Sequence, residues 1–320
     1  MTGDAESART VVVAVGGNAL SPSGESASVH NQFRHTRESL ESIVPLAVAG
    51  WRIAIVHGNG PQVGDALVRN EAAIATVDPL PLGVLVAGTA GWIGYMIQQS
   101  LENALAEAGC DRRVVTLICQ ARVDAGDPAL REPTKFVGRT LDEATAEALR
   151  KTGLQVEADG NGNLRRRVPS PLPVEIVESR MVSDLVSRGD IVIAAGGGGI
   201  PVYRDEKLGL EGVDAVVDKD RAAAILGRDI GAEMLVILTD VDGVYTGWGT
   251  DASKKLSRLT LSEARALLDG PELGSGSMRP KVEAAASFVA NGGARSVIAA
   301  LEDGPRALEG GVGTEIVPDE

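Results

Sequence analysis

The chain has 320 residues, of which 44% are hydrophobic, 23% charged and only 3% aromatic, so we expect a globular protein with a core of Val, Leu, Ile and Ala. Its formal net charge of −13 argues against partners recruited by an overall positive field, namely nucleic acid and anionic membrane surfaces. The two cysteines, Cys110 and Cys119, give neither a metal-ligand spacing nor a disulfide framework, so we predict no metal held by the protein alone.

The opening segment MTGDAESART is polar and lacks the apolar stretch of a secretory leader, which indicates a frayed tail. Residues 80–97 form the most apolar long stretch, but glycines and a proline interrupt it. It therefore falls short of the roughly 18 continuous apolar residues that a membrane span needs. We expect a cytoplasmic protein.

Apolar strands alternate with helices through most of the chain. The first predicted elements, in chain order, are a strand at 11–15, a helix at 31–49, a strand, glycine loop and helix start at 51–64, a helix at 84–107 and a strand at 114–119. After residue 172 the predicted elements are a helix at 175–188, a strand at 190–195, a helix at 218–230, a strand at 234–239, helices at 261–269 and 280–291, and a strand at 295–300. This alternation predicts an α/β fold, a three-layer αβα sandwich with a mainly parallel open sheet.

The alternation breaks between about 122 and 172, where the chain is polar and rich in turn residues around a short helix near 141–151. We predict one domain over residues 1–320, with residues 123–170 inserted as a protruding lid over the carboxyl edge of the sheet. Lys135 and the run Arg165-Arg166-Arg167 in an acidic chain favour a functional lid. The alternative is an insertion that has no role in the activity of the protein.

Three glycine loops follow apolar strands, at Gly16-Gly17, at Gly58-Asn59-Gly60 and at 196–199. Glycine lets backbone N–H groups approach a phosphate closely, so we predict phosphate contacts here, including Gly197 and Gly198 in the last loop. None of the loops matches the Walker A pattern or the Rossmann fingerprint.

Two lysines stand at predicted helix starts. Lys219 lies between Asp218 and Asp220, and Lys281 follows Pro280, which fits the first turn of a helix. A lysine beside a helix N-terminus favours a transferring phosphoryl group. A solvated loop with a capped helix, or a surface lysine at 281, is the simpler alternative. His57 adjoins a glycine loop, and a packed structural histidine and a functional one are equally good interpretations, so we assign no general base.

With these residues in view, the chain resembles the carbamate kinases of the amino acid kinase family from about residue 11 to 317. The motifs that carry the resemblance are VVVAVGGNAL, HGNGPQVG, GWIGYMIQQSLENAL, EPTK, RRVPSPLPVEIVE, GGGGIPV, GVDAVVDKDRAAAILG, LTDVDGVY with GWGT, GSMRPKVEAA, and NGGARSVIAAL with GTEIVP. The resemblance implies reversible phosphoryl transfer between ATP and carbamate, giving ADP and carbamoyl phosphate, with Mg²⁺. It also implies a homodimer and, often, flux toward ATP.

The resemblance also implies roles for individual residues. Lys219 and Lys281 would neutralise the transferring phosphoryl group, Asp220 would orient both lysines, and Lys135 would reach the site from the lid. The substrate and the γ-phosphate would be faced by residues of the first two glycine loops, namely Gly16, Gly17, Asn18, Gly58 and Asn59. The nucleotide side would hold Thr239, Asp240 and Tyr245, together with Lys281.

Three positions bear on which branch of the family this chain resembles. Many amino acid kinases carry a phosphate-binding lysine where this chain has Ala14, and carbamate kinases use the equivalent of Lys219 instead. Ala90 stands where glutamine is expected, and Phe136 where proline is expected. Two alternatives stay open, a kinase of the same fold acting on another small carboxylate or phosphate acceptor, and a catalytically silent nucleotide-binding protein.

Overall fold

The computed structural model describes residues 9–20, 28–40, 42–138, 140–160, 162–273 and 277–319, without the side chains of residues 18 and 19. Most of the predicted N-terminal tail lies outside these residues. The strands are β1 (Thr10–Val15), β2 (Arg52–His57), β3 (Val114–Thr116), β4 (Gln120–Val123), β5 (Lys135–Val137), β6 (Val156–Ala158), β7 (Leu164–Val168), β8 (Pro173–Ile176), β9 (Ile191–Ile193), β10 (Ile200–Asp205), β11 (Gly209–Gly212), β12 (Met234–Thr239), β13 (Val244–Thr246), β14 (Lys254–Leu256), β15 (Arg258–Thr260), β16 (Arg295–Ala300) and β17 (Thr314–Val317).

The helices alternate with these strands. They are α1 (Gly17–Leu20), α2 (Val29–Leu40), α3 (Val44–Val48), α4 (Gly60–Ala72), α5 (Leu82–Glu107), α6 (Glu143–Lys151), α7 (Ser179–Ser187), α8 (Lys219–Asp229), α9 (Leu261–Asp269), α10 (Met278–Ala290) and α11 (Gly304–Glu309). Within the described ranges, no helix is long and apolar enough to cross a membrane.

The main sheet has eight strands in the order β15-β17-β16-β12-β1-β2-β9-β3. The six strands from β16 to β3 run parallel, and β17 joins β16 antiparallel. The central strands β1 and β12 are apolar runs with Val, Ile and Leu buried on both faces, as a parallel sheet covered by helices requires.

Helices cover both faces of the sheet. Val11 and Val13 of β1 face a cluster that includes Leu101 of α5, whereas Val12 faces a second cluster that includes Phe288 of α10. Successive strand residues point to opposite faces, so the single run VVVAV contributes to both layers. The predicted three-layer αβα sandwich with a mainly parallel sheet is confirmed.

Two smaller sheets accompany the main sheet. β11, β10, β4 and β8, which flank the inserted region in the chain, form a four-stranded sheet, and β5, β7 and β6 of the inserted region form a small antiparallel sheet beside α6. We call this small sheet together with α6 the lid. Its Val137 and Val168 pack against Val63 and Leu67 of α4. The boundaries 123–170 proposed for the insertion stay a prediction.

Several element predictions were wrong in detail. The helix expected at 31–49 is two helices, because Pro45 begins a new helix, α3, within that range. The strand expected at 114–119 ends at Thr116, and the chain enters the second sheet at Gln120. The helix expected from 175 starts at Ser179, since β8 occupies 173–176.

Candidate active site

A cavity of about 520 Å³ opens at the carboxyl edge of the main sheet. Gly16 directly follows β1, Gly58 follows β2, and Thr239 ends β12. Because β12, β1 and β2 are adjacent and parallel, their carboxyl ends meet at one edge, which is where open α/β sheets bind ligands. The lining residues are Gly16, Gly17, Gly58, Asn59, Gly60, Pro61, Val63, Lys135, Phe136, Val137, Gly197, Val216, Val217, Asp218, Lys219, Asp220, Thr239, Asp240, Ser277, Lys281, Leu301 and Glu302.

The first two glycine loops touch each other at the floor of the cavity. A Cβ added at Gly58 would lie 2.7 Å from the backbone nitrogen of Gly17 and 3.2 Å from Cδ of Lys219. Only glycine fits there, because real Cβ atoms do not approach backbone this closely. The loops therefore present bare backbone beside the side chain of Lys219.

Asp220 holds both predicted lysines. Its carboxylate is 3% exposed, and one oxygen pairs with Lys219 Nζ while the other accepts from Lys281 Nζ at 3.2 Å. Both ammonium groups are thus fixed beside the glycine loops, in side chains that are each 12% exposed. Two cations on one carboxylate leave a net positive charge that can receive an anionic group.

Asp218 has a separate role at the same helix start. As the N-cap of α8 it accepts from the backbone nitrogen of Asp220 at 2.9 Å, and its other oxygen accepts from Lys135 Nζ at 2.6 Å. The lid is therefore tied to the start of α8, and Lys135 is among the residues that line the cavity.

Burial and neighbouring charge shift the pKa values of these groups in opposite ways. Burial would raise the pKa of Asp218, but the ammonium groups of Lys135, Lys219 and Lys281 hold that pKa well below its usual range. Burial is also the main reason that the pKa of Lys219 is lowered, with Asp220 opposing the shift. The site is thus a tightly coupled group of opposite charges.

His57 lies behind the glycine loops and not in the cavity. Its ring is fully buried, Nδ1 is 3.0 Å from the carbonyl oxygen of Gly58, and a Cβ at Gly196 would lie 2.5 Å from Nε2. Burial lowers the pKa of His57 to about 4, so the ring is neutral at pH 7. Of the two interpretations that the sequence left open for His57, these contacts favour the structural one.

The third glycine loop forms a tight turn between β9 and β10. Gly197 has φ of +69°, and a Cβ there would lie 2.2 Å from Nδ2 of Asn59. Asn59 in turn donates to Thr89 Oγ1 at 2.9 Å, so its amide is held by α5. Gly197 lines the cavity, whereas Gly198 packs beneath it against Val217.

Besides Gly198, two further predicted site residues are not placed in the cavity by these observations. Tyr245 lies on β13, where its hydroxyl donates to Asp242 at 2.8 Å and its ring meets Trp248 edge-on at 5.0 Å between centroids. The backbone of Asn18 lies in α1, and its side chain is outside the described part of the chain. The roles of all the site residues toward a substrate stay predictions.

Sequence reasoning missed several lining residues. Leu301 and Glu302 follow β16 at the same sheet edge as Thr239, and the strand predicted at 295–300 was a signal that could have found them.

The two positions that differ from the expected family pattern lie in or near the site. Phe136 lines the cavity beside Lys135, with the guanidinium of Arg167 5.7 Å from its ring centroid. Ala90 is buried, and a Cβ at Gly196 would lie 3.0 Å from its own Cβ.

Comparisons with known proteins agree with this geometry. The model of the amino acid kinase family matches residues 9–300. A protein named carbamate kinase from Pyrococcus furiosus is 42% identical over 313 residues, 97% of this chain and 99% of that protein. One from Halobacterium salinarum is 45% identical over 309 residues, 96% of this chain and 98% of that protein.

Solved structures give the same result. Carbamate kinase from Giardia lamblia bound to citric acid superposes with a TM-score of 0.92 at 37% identity, covering 98% of this chain and 99% of that chain. The same enzyme bound to AMP-PNP superposes with a TM-score of 0.89 at 37% identity, with the same coverage of both chains.

Proposed function

This chain belongs to the amino acid kinase family and, within it, to the carbamate kinases, and on that premise we propose that it transfers a phosphoryl group reversibly between ATP and carbamate. The products are ADP and carbamoyl phosphate. The observation that carries the proposal is the pair of lysines, Lys219 and Lys281, held on the single buried carboxylate of Asp220 beside two glycine loops.

The chemistry needs positioning and charge neutralisation more than acid–base help. A carbamate oxygen forms a bond to the γ-phosphorus while the bond from that phosphorus to the bridging oxygen of ADP breaks. Carbamate is already an anion, so no proton has to be removed, which agrees with the neutral and enclosed His57. Lys219 and Lys281 would stabilise the charge on the transferring group.

The two ends of the cavity suggest how the substrates are arranged. Gly17, Gly58 and Asn59 would receive the acceptor and the γ-phosphate, where bare backbone and Lys219 meet. Thr239, Asp240 and Glu302, at the ends of β12 and β16, would face the nucleotide. Tyr245, on the hairpin of β13 and β14, would contact the nucleotide only from outside the cavity lining.

We also propose that Mg²⁺ enters with the nucleotide. Among the described residues no group of three or more His, Cys, Asp or Glu side chains could hold a metal alone. Mg²⁺ is commonly held by phosphates and one or two carboxylates, and Asp240 and Glu302 line this cavity. When bound, the ion would neutralise phosphate charge.

A homodimer is a further proposal. Along α5, the exposed Val84 and Tyr95 and the small Gly88 and Gly91 recur on one outward face, and Ile118 lies beside Gly91. Small and apolar residues on one helix face suit close packing against a second copy of the chain. Sedimentation of the wild type and of Gly88→Arg tests this, because a dimer through this face should dissociate in the variant. Cytoplasmic location and ATP-forming flux stay predictions.

The decisive experiment is ATP formation from ADP and carbamoyl phosphate with Mg²⁺, read by a hexokinase-coupled assay. Robust turnover that requires Lys219 is the expected result. A folded protein that binds ADP but turns over no carbamoyl phosphate would contradict the proposal. Turnover of another small acylphosphate in its place would then indicate that Phe136 or Ala90 has changed the acceptor.

A further inference from the structure

Three successive arginines in β7 pair with three different carboxylates. Arg165 lies 3.8 Å from Asp159, Arg167 pairs with Glu157, and Arg166 Nη1 lies 2.5 Å from Oε1 of Glu71. Asp159 and Glu157 belong to the inserted region itself. Glu71 instead lies in the last turn of α4, so the pair formed by Arg166 connects the lid to the body of the protein.

We propose that the Arg166–Glu71 ion pair is a positioning contact that holds Lys135 over the cavity. In the ladder between β5 and β7, Val137 is opposite Arg166 and Lys135 is opposite Val168. Because Lys135 lies only two positions from Val137 on β5, a displacement of Arg166 would also displace Lys135. The proposal deepens the proposed function and rests on it, since it assigns Lys135 a place in the same reaction.

The apolar contact between lid and body cannot do this positioning by itself. Val137 and Val168 meet Val63 and Leu67 of α4 in one hydrophobic cluster. Apolar burial stabilises contact but has little directionality. A charge-assisted hydrogen bond of 2.5 Å between fixed groups does have directionality, and it selects one position of the lid on α4.

The electrostatics of the pair agree with this role. The side chains of Arg166 and Glu71 are only 18% and 30% exposed. Burial raises the pKa of Glu71 and lowers the pKa of Arg166, and in each case the charge of the partner opposes the shift. Loss of Glu71 would leave the partly buried guanidinium of Arg166 with the charge of Asp214 alone, so the position of the lid against α4 would become less stable.

Glu71 lies outside the set of residues that line the cavity, so its effect on the reaction should pass through Lys135. Lys135 makes its own contact with Asp218 at 2.6 Å, at the start of α8. Among the described residues, two ion pairs thus join the lid to the body, one at the far end of α4 and one in the site. Glu71, in the ion pair at the end of α4, can be substituted without changing any residue that lines the cavity.

The test is a double-mutant cycle between Glu71→Gln and Lys135→Ala. We expect Glu71→Gln to lower kcat about tenfold and to leave the KM for ADP within about twofold, because the misplacement affects one group over the transferring phosphate. In the Lys135→Ala background the same substitution should change kcat less than about twofold. Glu157→Gln is the matched control, since its ion pair stays within the lid, and it should leave kcat unchanged.

Two outcomes of the double-mutant cycle would overturn the proposal. Equal losses of kcat in both backgrounds would show that Glu71 acts on something other than Lys135, and no loss at all would show that the pair does no positioning. The charge exchange Glu71→Arg with Arg166→Glu guards against a folding artefact, because it should restore kcat to within about threefold of the wild type. Failure of that exchange to improve on Glu71→Gln would also count against the proposal.

A second readout does not depend on the assigned reaction. Acetylation of Lys135 in the nucleotide-free protein, followed by peptide mass spectrometry, should be faster in Glu71→Gln than in the wild type or in Glu157→Gln. The exposed Lys207 serves as the internal reference. Unchanged labelling of Lys135 would overturn the proposal. If the wild type turns over no carbamoyl phosphate, the proposed function fails while this labelling experiment still decides about the ion pair.

Discussion

Lys281 and Asp220 are joined at 3.2 Å although 61 residues separate them in the chain. The contact brings the start of α10 to the start of α8, and the second oxygen of the same carboxylate holds Lys219. Asp220 thus fixes the spacing of two cations that no local sequence pattern could bring together. The site is held by tertiary packing of two helices on one face of the sheet.

Removal of Lys219 should leave a folded and nearly inactive protein. We expect Lys219→Ala to lower kcat by about 10²–10³, because one preorganised charge is lost from the transferring group. Steady-state kinetics in the ATP-forming direction, with circular dichroism for the fold, measure this effect. Lys207→Ala, an exposed lysine distant from the cavity lining, is the control. Near-normal kcat in folded Lys219→Ala would refute the assignment.

Asp220→Asn should change the pH dependence of the reaction. Burial lowers the pKa of Lys219, and the charge of Asp220 opposes that shift. With the charge removed, Lys219 should lose its proton at a lower pH, so the alkaline limb of the kcat profile moves toward lower pH. A profile recorded from pH 6 to 10 gives the answer, with exposed Asp184→Asn as control. An unshifted alkaline limb would show that Lys219 does not set it.

Gly58→Ala should damage the site through contact alone. The added Cβ would meet the backbone of Gly17 at 2.7 Å and the side chain of Lys219 at 3.2 Å, so both must shift. We expect a loss of at least about tenfold in kcat/KM, since displacements of this size near reacting groups are costly. Gly212→Ala, where nothing lies within 4 Å of the new Cβ, should retain full activity. Equal activities of the two variants would contradict the prediction.

His57 should make the fold sensitive to mild acid. Burial lowers its pKa from the ordinary 6.5 of an exposed histidine to about 4 in the folded chain, so the unfolded chain binds more protons between these values. The free energy of unfolding should therefore fall by about 2 kcal/mol from pH 7 to pH 5 because of this residue alone. Urea unfolding of the wild type and His57→Gln at both pH values measures the contribution.

The variant should lose most of that pH dependence, even if its stability at pH 7 is lower. His30→Gln is the control, because His30 is exposed and not enclosed in the core. A wild-type pH dependence that persists in His57→Gln would assign the acid sensitivity to other groups.

Long apolar elements were predictable from the sequence, and short half-exposed ones were not. β12 and β16 have the predicted bounds, because each is a buried run between polar turns. The helix at 261–269 is also as predicted, and it begins with a capping box between Thr260 and Glu263. β10 and the hairpin of β13 and β14 were missed, since β10 is only partly buried and β13 and β14 have three residues each, so that these strands depend on pairing with other strands.

In the site, too, features set by local sequence were predictable, whereas contacts between distant residues were not. The spacing of Asp218, Lys219 and Asp220 at a helix start was visible in the sequence. The pairing of Lys135 with Asp218 was not, because the two residues are 83 positions apart in the chain. Tyr245 belongs to a motif that was visible in the sequence, but its hydroxyl donates to Asp242 outside the cavity lining.

Where the lid packs on α4, the backbone of the lid closely approaches the backbone of the helix. A Cβ at Gly64 of α4 would lie 2.0 Å from Cα of Gly138, the residue that follows β5. Gly64 is not among the residues that line the cavity. A single methyl group at position 64 would therefore hold the two parts apart and give access to an open form of the enzyme with every cavity side chain intact.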